Sequence, residues 1–101
     1  MSRNVVYAIR CKRCNKAYIG ESGRRLGDRF VEHLRSVEQD DGKPVSKHFN
    51  GPSHVGVADM EVFVLRFCHG TKTSRQTLAS RLIHKLGTIS PQGMNTKVDL
   101  P

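Results

Sequence analysis

Two β-branched, aromatic runs separated by six turn-forming residues constrain this chain more than any other feature. Residues 4–10, Asn-Val-Val-Tyr-Ala-Ile-Arg, favour an extended, half-buried strand, and Ala17-Tyr18-Ile19-Gly20 favours a second. Between them Cys11, Lys12, Arg13, Cys14, Asn15 and Lys16 carry charge and a turn-prone Asn but no apolar periodicity. Strands this close in sequence pair antiparallel, so the chain is expected to begin as a β-hairpin.

Helical periodicity follows. Leu26, Phe30, Leu34 and Val37 recur at spacings of four, four and three, with Ser22 as the expected N-cap and Asp40-Asp41-Gly42-Lys43-Pro44 as the break. Val45 to Phe49 is expected as a short helical turn stopped by Asn50-Gly51-Pro52, and Met60-Glu-Val-Phe-Val-Leu-Arg-Phe67 as a third strand. A second long helix is expected to be capped by Thr73 or Ser74, with Leu78, Leu82, Ile83 and Leu86 as its apolar stripe and Gly87 as its end. Ser90-Pro-Gln-Gly-Met-Asn95 is turn-like. The order ββα, a short insert, then βα predicts a small α/β (α+β) domain. Its three-stranded antiparallel sheet would be flanked by two principal helices. No repeat or linker divides residues 1–101, which are read as one domain.

The 101 residues include no Trp and only two Tyr and four Phe, so Leu, Ile and Val must supply most of one modest core. Seventeen Lys+Arg against nine Asp+Glu leave a formal charge of +8, which attracts polyanions. Nucleic acid is favoured over an anionic membrane surface, and on charge alone a ribosomal or merely soluble basic protein stays open. No apolar run reaches the roughly 18 residues of a membrane span, and the first residues do not resemble a signal peptide. The chain is expected to be soluble and intracellular.

Cys11-x2-Cys14 and His48-x5-His54 together offer two thiolates and two imidazoles, the donor set of a tetrahedral Cys2His2 zinc site. The long separation of Cys14 from His48 requires the ligands to bridge the hairpin turn and the insert. Neither carries much core of its own, so a structural zinc would have work to do there. The alternative is a reduced cysteine pair with unrelated loop histidines. Cys68-His69 is a weaker pair, because adjacent residues rarely reach one ion together.

Val5-Val6-Tyr7, followed about ten residues later by Tyr18-Ile19-Gly20, resembles the paired strand motifs of the GIY-YIG nucleases, with Val5-Val6 in place of Gly-Ile. Arg29-x3-His33 is similar to the Arg-x-x-x-His of that family's first helix, and Pro91-Gln-Gly93-Met-Asn95 to its closing Asn. Taken singly, each has an ordinary reading: packing tyrosines in a hairpin, a solvated arginine, a surface histidine, a turn asparagine. The ordered set carries the resemblance across residues 5–95. The Cys pair between the strand motifs, Gly20-Glu-Ser-Gly-Arg-Arg-Leu26 and Lys85-Leu-Gly-Thr88 resemble most the GIY-YIG domains of Penelope-like retroelements.

The resemblance implies a DNA endonuclease domain that nicks one strand by metal-dependent phosphodiester hydrolysis. The 3′-hydroxyl so produced would serve a retroelement polymerase, and the chain would act in the nucleus as a monomer with DNA as partner and no membrane. Tyr7 or Tyr18 would take or orient the proton of the attacking water, and Arg29 and His33, on one helix face, would meet the phosphate. Arg24, Arg25, Arg29 and Arg35 would bind DNA, and Asn95 would close the site. A helix-borne glutamate would hold Mg²⁺ or Mn²⁺. At its position, four residues after Arg75 and sixteen before Asn95, stands Ala79. The catalytic cation site is therefore expected to be lost. The origin is either an engineered Glu→Ala change or a naturally silenced copy, and the otherwise intact set favours the first. The rival from another class is a zinc-containing DNA-binding module without catalysis. A zinc-stabilised protein-interaction domain would differ from both in showing no salt-dependent affinity for DNA.

Overall fold

The computed structural model describes residues 3–96. Its elements are β1 (Val5–Cys11), β2 (Ala17–Ser22), α1 (Leu26–Gln39), α2 (Pro44–Phe49), a single 3-10 turn (Gly56–Asp59), β3 (Met60–Phe67) and α3 (Lys72–Leu86). The three strands form one antiparallel sheet in the order β2-β1-β3. This is the expected architecture.

The central strand has helices or loops on both faces, and its sequence shows it: Val5 to Ile9 are all buried. Alternation divides them. Val5, Tyr7, Ile9 and Cys11 pack with Leu26 and Val37 of α1, Val45 and Phe49 of α2, and Met60. Val6 turns the other way, to Ile19 of β2 and to Ala79, Leu82 and Ile83 of α3. The pairing of β1 with β3 slips by one residue between Val6 and Tyr7, a bulge beside the cluster described below.

Four expectations need correction. Ser22 does not cap α1. It closes β2 opposite Val5, and its hydroxyl bonds the Arg24 backbone; Arg25 holds the cap position with no side-chain bond. The strand pairing extends two residues past Gly20 and delays the helix. α3 is capped by Thr71, whose hydroxyl accepts from the Ser74 N–H at 3.1 Å, so Thr73 and Ser74 lie inside the helix. Leu86 is 54% exposed, on the rim of a groove that it lines with Ala8, Ile19, Phe63 and Leu65 of the sheet. The insert does carry core: Phe49 and Val45 are buried under β1.

The 90–96 tail lies against the outer edge of β2. The Met94 N–H donates to the Ala17 carbonyl at 2.9 Å, and Ile89 bridges Asn95 in parallel. Gly93 faces the Thr88 backbone so closely that no Cβ fits there. Among the described residues no helix is long and apolar enough to cross a membrane.

Candidate active cleft and metal centre

Register brings the two tyrosines together. Tyr7 stands opposite Gly20 and Ile9 opposite Tyr18, so both rings lie on the α1 side of the hairpin. Gly20 is required by this packing: a Cβ there would lie 2.5 Å from the Tyr7 hydroxyl oxygen. His33, two turns into α1, completes the cluster. Its Nε2 is 2.7 Å from the Tyr7 hydroxyl, and its ring meets both tyrosines edge-on, with centroids 5.8 and 5.5 Å away. Either the phenol donates to a bare Nε2 or a protonated Nε2 donates to the phenol, according to the tautomer.

Burial sets the charges here. Loss of water, with the Arg29 guanidinium adding to it, holds the His33 imidazole down at about 4, so it is neutral at pH 7. Burial also raises both phenols, against the opposing pull of Arg29. Arg29, four residues and one turn before His33, supplies the cation. Its Nη1 lies 3.2 Å from Glu32, whose carboxylate also accepts from Arg24 at 2.8 Å. Arg25 faces Asp28 at 3.9 Å, and Arg35 is exposed on the rim of a neighbouring groove. These partly solvated pairs are weak, so a phosphate can replace the carboxylates.

A cleft of about 430 Å³ opens between β2, α1, α3 and the tail, and Tyr7, Tyr18, Arg29, Ala79 and Asn95 all line it. His33 lines the adjoining groove, which shares Tyr18 and Arg29. The structure thus gathers these sequence-predicted residues in one place. Asn95 has its amide engaged: Oδ1 accepts from the Ile19 N–H at 2.9 Å and the Thr88 hydroxyl at 2.7 Å, and Nδ2 donates to the Ile19 carbonyl at 3.0 Å. It fastens the tail to β2.

Ala79 is buried on the sheet-facing side of α3. Sequence reasoning missed Glu21, the one carboxylate among the described residues lining the cleft. It accepts from Arg75 Nε at 3.1 Å, and Arg75 also reaches Asn4 Oδ1 at 3.3 Å. A signal existed for Arg75, since it precedes Ala79 by four and so shares its helix face. With alanine at 79, Glu21 held by a cation and the Asn95 amide spent, the residues present do not fit a catalytic divalent cation.

Cys11, Cys14, His48 and His54 converge at the other end of the sheet, with their donor atoms all within 4.8 Å of one another. Cys11 ends β1 and Cys14 sits in the turn, which is closed by the Asn15 N–H to the Cys11 carbonyl at 2.8 Å. His48 comes from α2, with Nε2 3.4 Å from Cys14 Sγ. The His54 ring is oriented by its Nδ1, 2.9 Å from the Pro52 carbonyl, which leaves Nε2 buried without a hydrogen-bond partner. A carbonyl that fixes a histidine so that its other nitrogen faces thiolates fits a metal ligand. Asp59 braces the site: its carbonyl accepts from the Lys12 N–H at 2.8 Å, and its carboxylate from Val55 N–H at 2.9 Å and Arg13 Nε at 3.2 Å. Cys68 is half-buried and outside this cluster.

No protein-family model matches the chain, and no curated protein does. Two solved structures are similar to it. One is the catalytic domain of the intron endonuclease I-TevI as a glutamate-to-alanine mutant, 21% identical with a TM-score of 0.77 over 93% of each chain. The other is the catalytic domain of the homing endonuclease I-TevI, 19% identical with a TM-score of 0.75 over 92% of this chain and 97% of that one. At such identities the likeness is one of fold, and it extends over nearly the whole chain: this protein is built on the fold of those catalytic domains.

Proposed function

We propose that the chain is a GIY-YIG-type DNA endonuclease domain whose cleft retains the machinery for phosphodiester hydrolysis except the carboxylate that would hold a divalent cation. The observation that carries this reading is the convergence of Tyr7, Tyr18, Arg29 and Ala79 on one cleft, with His33 bonded to Tyr7. Two solved catalytic domains of endonucleases share the fold.

In this reading Arg29 leaves Glu32 and forks onto the non-bridging oxygens of the scissile phosphate. Tyr7 accepts the proton of the attacking water as it passes its own to His33 Nε2, and Tyr18 shapes the other side of the water site. The incoming phosphate offsets the Arg29 charge that depresses His33, so the imidazole becomes a better acceptor when substrate is bound. The water oxygen bonds to phosphorus as the P–O3′ bond breaks, and the departing oxygen takes a proton from solvent, which would leave a 5′-phosphate and a 3′-hydroxyl of the kind a nuclear retroelement polymerase extends. The Cys11, Cys14, His48 and His54 cluster is read as structural zinc, which would crosslink the hairpin turn to α2 and the loop after it.

Replacing Ala79→Glu should create nicking in Mg²⁺ or Mn²⁺ where the present chain has almost none. Supercoiled plasmid would relax to open circles, and chelator would block the change. Arg29→Ala on that background should abolish the gain while the protein remains folded. A metal-loaded, DNA-binding Ala79→Glu protein that gives no open circles in either ion would sink the nuclease reading and leave a non-catalytic DNA-binding module.

A further inference from the structure

The cleft does not end at its own rim. Pro44 and Thr96 also line a second groove of about 400 Å³ between the β1–β2 turn, α2 and the 90–96 tail. Among the described residues its polar lining is Lys16, Lys47, His48, Ser90 and Thr96, with no carboxylate. The arginines around the cleft differ, because Arg24, Arg25 and Arg29 each sit against an aspartate or glutamate. Lys16 and Lys47 form no ion pair among the described residues. Two ammonium groups in one concave groove, with no carboxylate among its described lining residues, concentrate anions there more than scattered surface lysines do.

We propose that this groove is a second phosphate track, in which Lys16 and Lys47 hold the backbone of the DNA strand as it leaves the cleft past Pro44 and Thr96. The proposal rests on the reading of the cleft as a DNA-cleaving site. DNA suits the groove because its phosphates repeat along the strand, so a second contact next to the first costs no further encounter. The spacing of the lysines is set by the cysteine–histidine cluster. Lys16 follows Cys14 by two residues and Lys47 precedes His48 by one, so the turn and α2 that the cluster joins are also the groove's two basic walls. The cluster would then serve DNA affinity as well as stability.

The test is fluorescence anisotropy of a labelled duplex with the metal-loaded full chain across a series of salt concentrations. Lys16→Gln and Lys47→Gln should each lower the slope of log affinity against log salt by about 0.9, and together by about 1.8. The parent's advantage over the double variant should then shrink about tenfold between 50 and 200 mM salt. The single variants decide the matter if the double variant folds poorly. The Lys16→Arg/Lys47→Arg pair, which keeps the charge, should bind as the parent does. An unchanged slope in the glutamine variants, with DNA still bound, overturns the track. So does a loss seen only against an oligoglutamate of matched charge, which would make the groove an acidic-peptide site. A parent chain that binds DNA with no salt dependence overturns instead the reading of the cleft on which the track depends.

Discussion

His33 sits where a helix, two strands and a nearby cation all disfavour its charged form, and this has a consequence for stability. With the folded imidazole at about 4 and the unfolded one near 6.5, the native state binds fewer protons between those values. The stability that the neutral ring contributes is complete above about pH 6.5 and is lost as pH falls toward 4, to the extent of about 2 to 3 kcal/mol after allowance for solvent screening. Urea unfolding of the metal-free chain at pH 7, 5.5 and 4.5 should show this decline, and His33→Gln should flatten it. His48 is also lowered, mainly by burial, but it is present in both proteins, so the difference isolates His33. Parallel pH profiles for parent and variant would mean that folding leaves the His33 pKa unshifted, and that the ring is not held neutral by burial.

At the scale of elements, the sheet edge at β2 depends on one side chain. Asn95 occupies both backbone groups of Ile19, so Asn95→Ala strands a buried donor and acceptor on an edge strand. A cost of about 1 to 3 kcal/mol follows, which for a domain of this size lowers the melting temperature by roughly 5 to 15 °C. Asn95→Asp keeps the Oδ1 acceptor but loses the donor, and should fall between the two. A melting temperature unchanged in Asn95→Ala would show that water replaces both bonds and that the tail is not fastened there. α3 gives a contrasting case. Its cap at Thr71 and its Arg75–Glu21 pair hold its first turns, whereas Leu86 at its other end is exposed.

For the molecule as a whole, the question is how far its stability would depend on the zinc proposed at Cys11, Cys14, His48 and His54. Small zinc folds without a core unfold when the ion is removed. Here Phe49 and Val45 of α2 are buried with Tyr7, Ile9 and Met60, so the insert keeps an apolar anchor when the ion is gone. Native protein should carry about one zinc per chain by elemental analysis. Chelation should leave the far-UV circular dichroism close to unchanged while amide protection falls in residues 11–16 and 48–59. Complete cooperative unfolding on chelation at 25 °C would show that the core cannot hold α2 by itself. Absence of zinc from chelator-free protein, with Cys11 and Cys14 readily alkylated, would remove the metal site.

Much of the fold was legible in local pattern. The β-branched and aromatic runs of 4–10 and 60–67 and the four-four-three spacing of Leu26 to Val37 specify strands and a helix because the apolar residues of each element must find a partner. The donor set of the cysteine–histidine cluster was legible for the same kind of reason, since few other arrangements suit two thiols and two imidazoles at that spacing. Choices among equivalent signals were not. Ser22, Thr71, Thr73 and Ser74 are all competent helix caps, and strand pairing and backbone dihedrals selected among them. Nor could the chain alone say that Glu21 is held by Arg75, that the Asn95 amide is spent on Ile19, or that Tyr7 meets His33 at 2.7 Å. Sequence by itself determined which segments are strands and helices and which residue types could do chemistry, because period and donor chemistry are local. Only the tertiary structure decided which donors remain available, because hydrogen bonds and ion pairs between residues 26, 54 and 76 positions apart exist only after the chain has closed on itself.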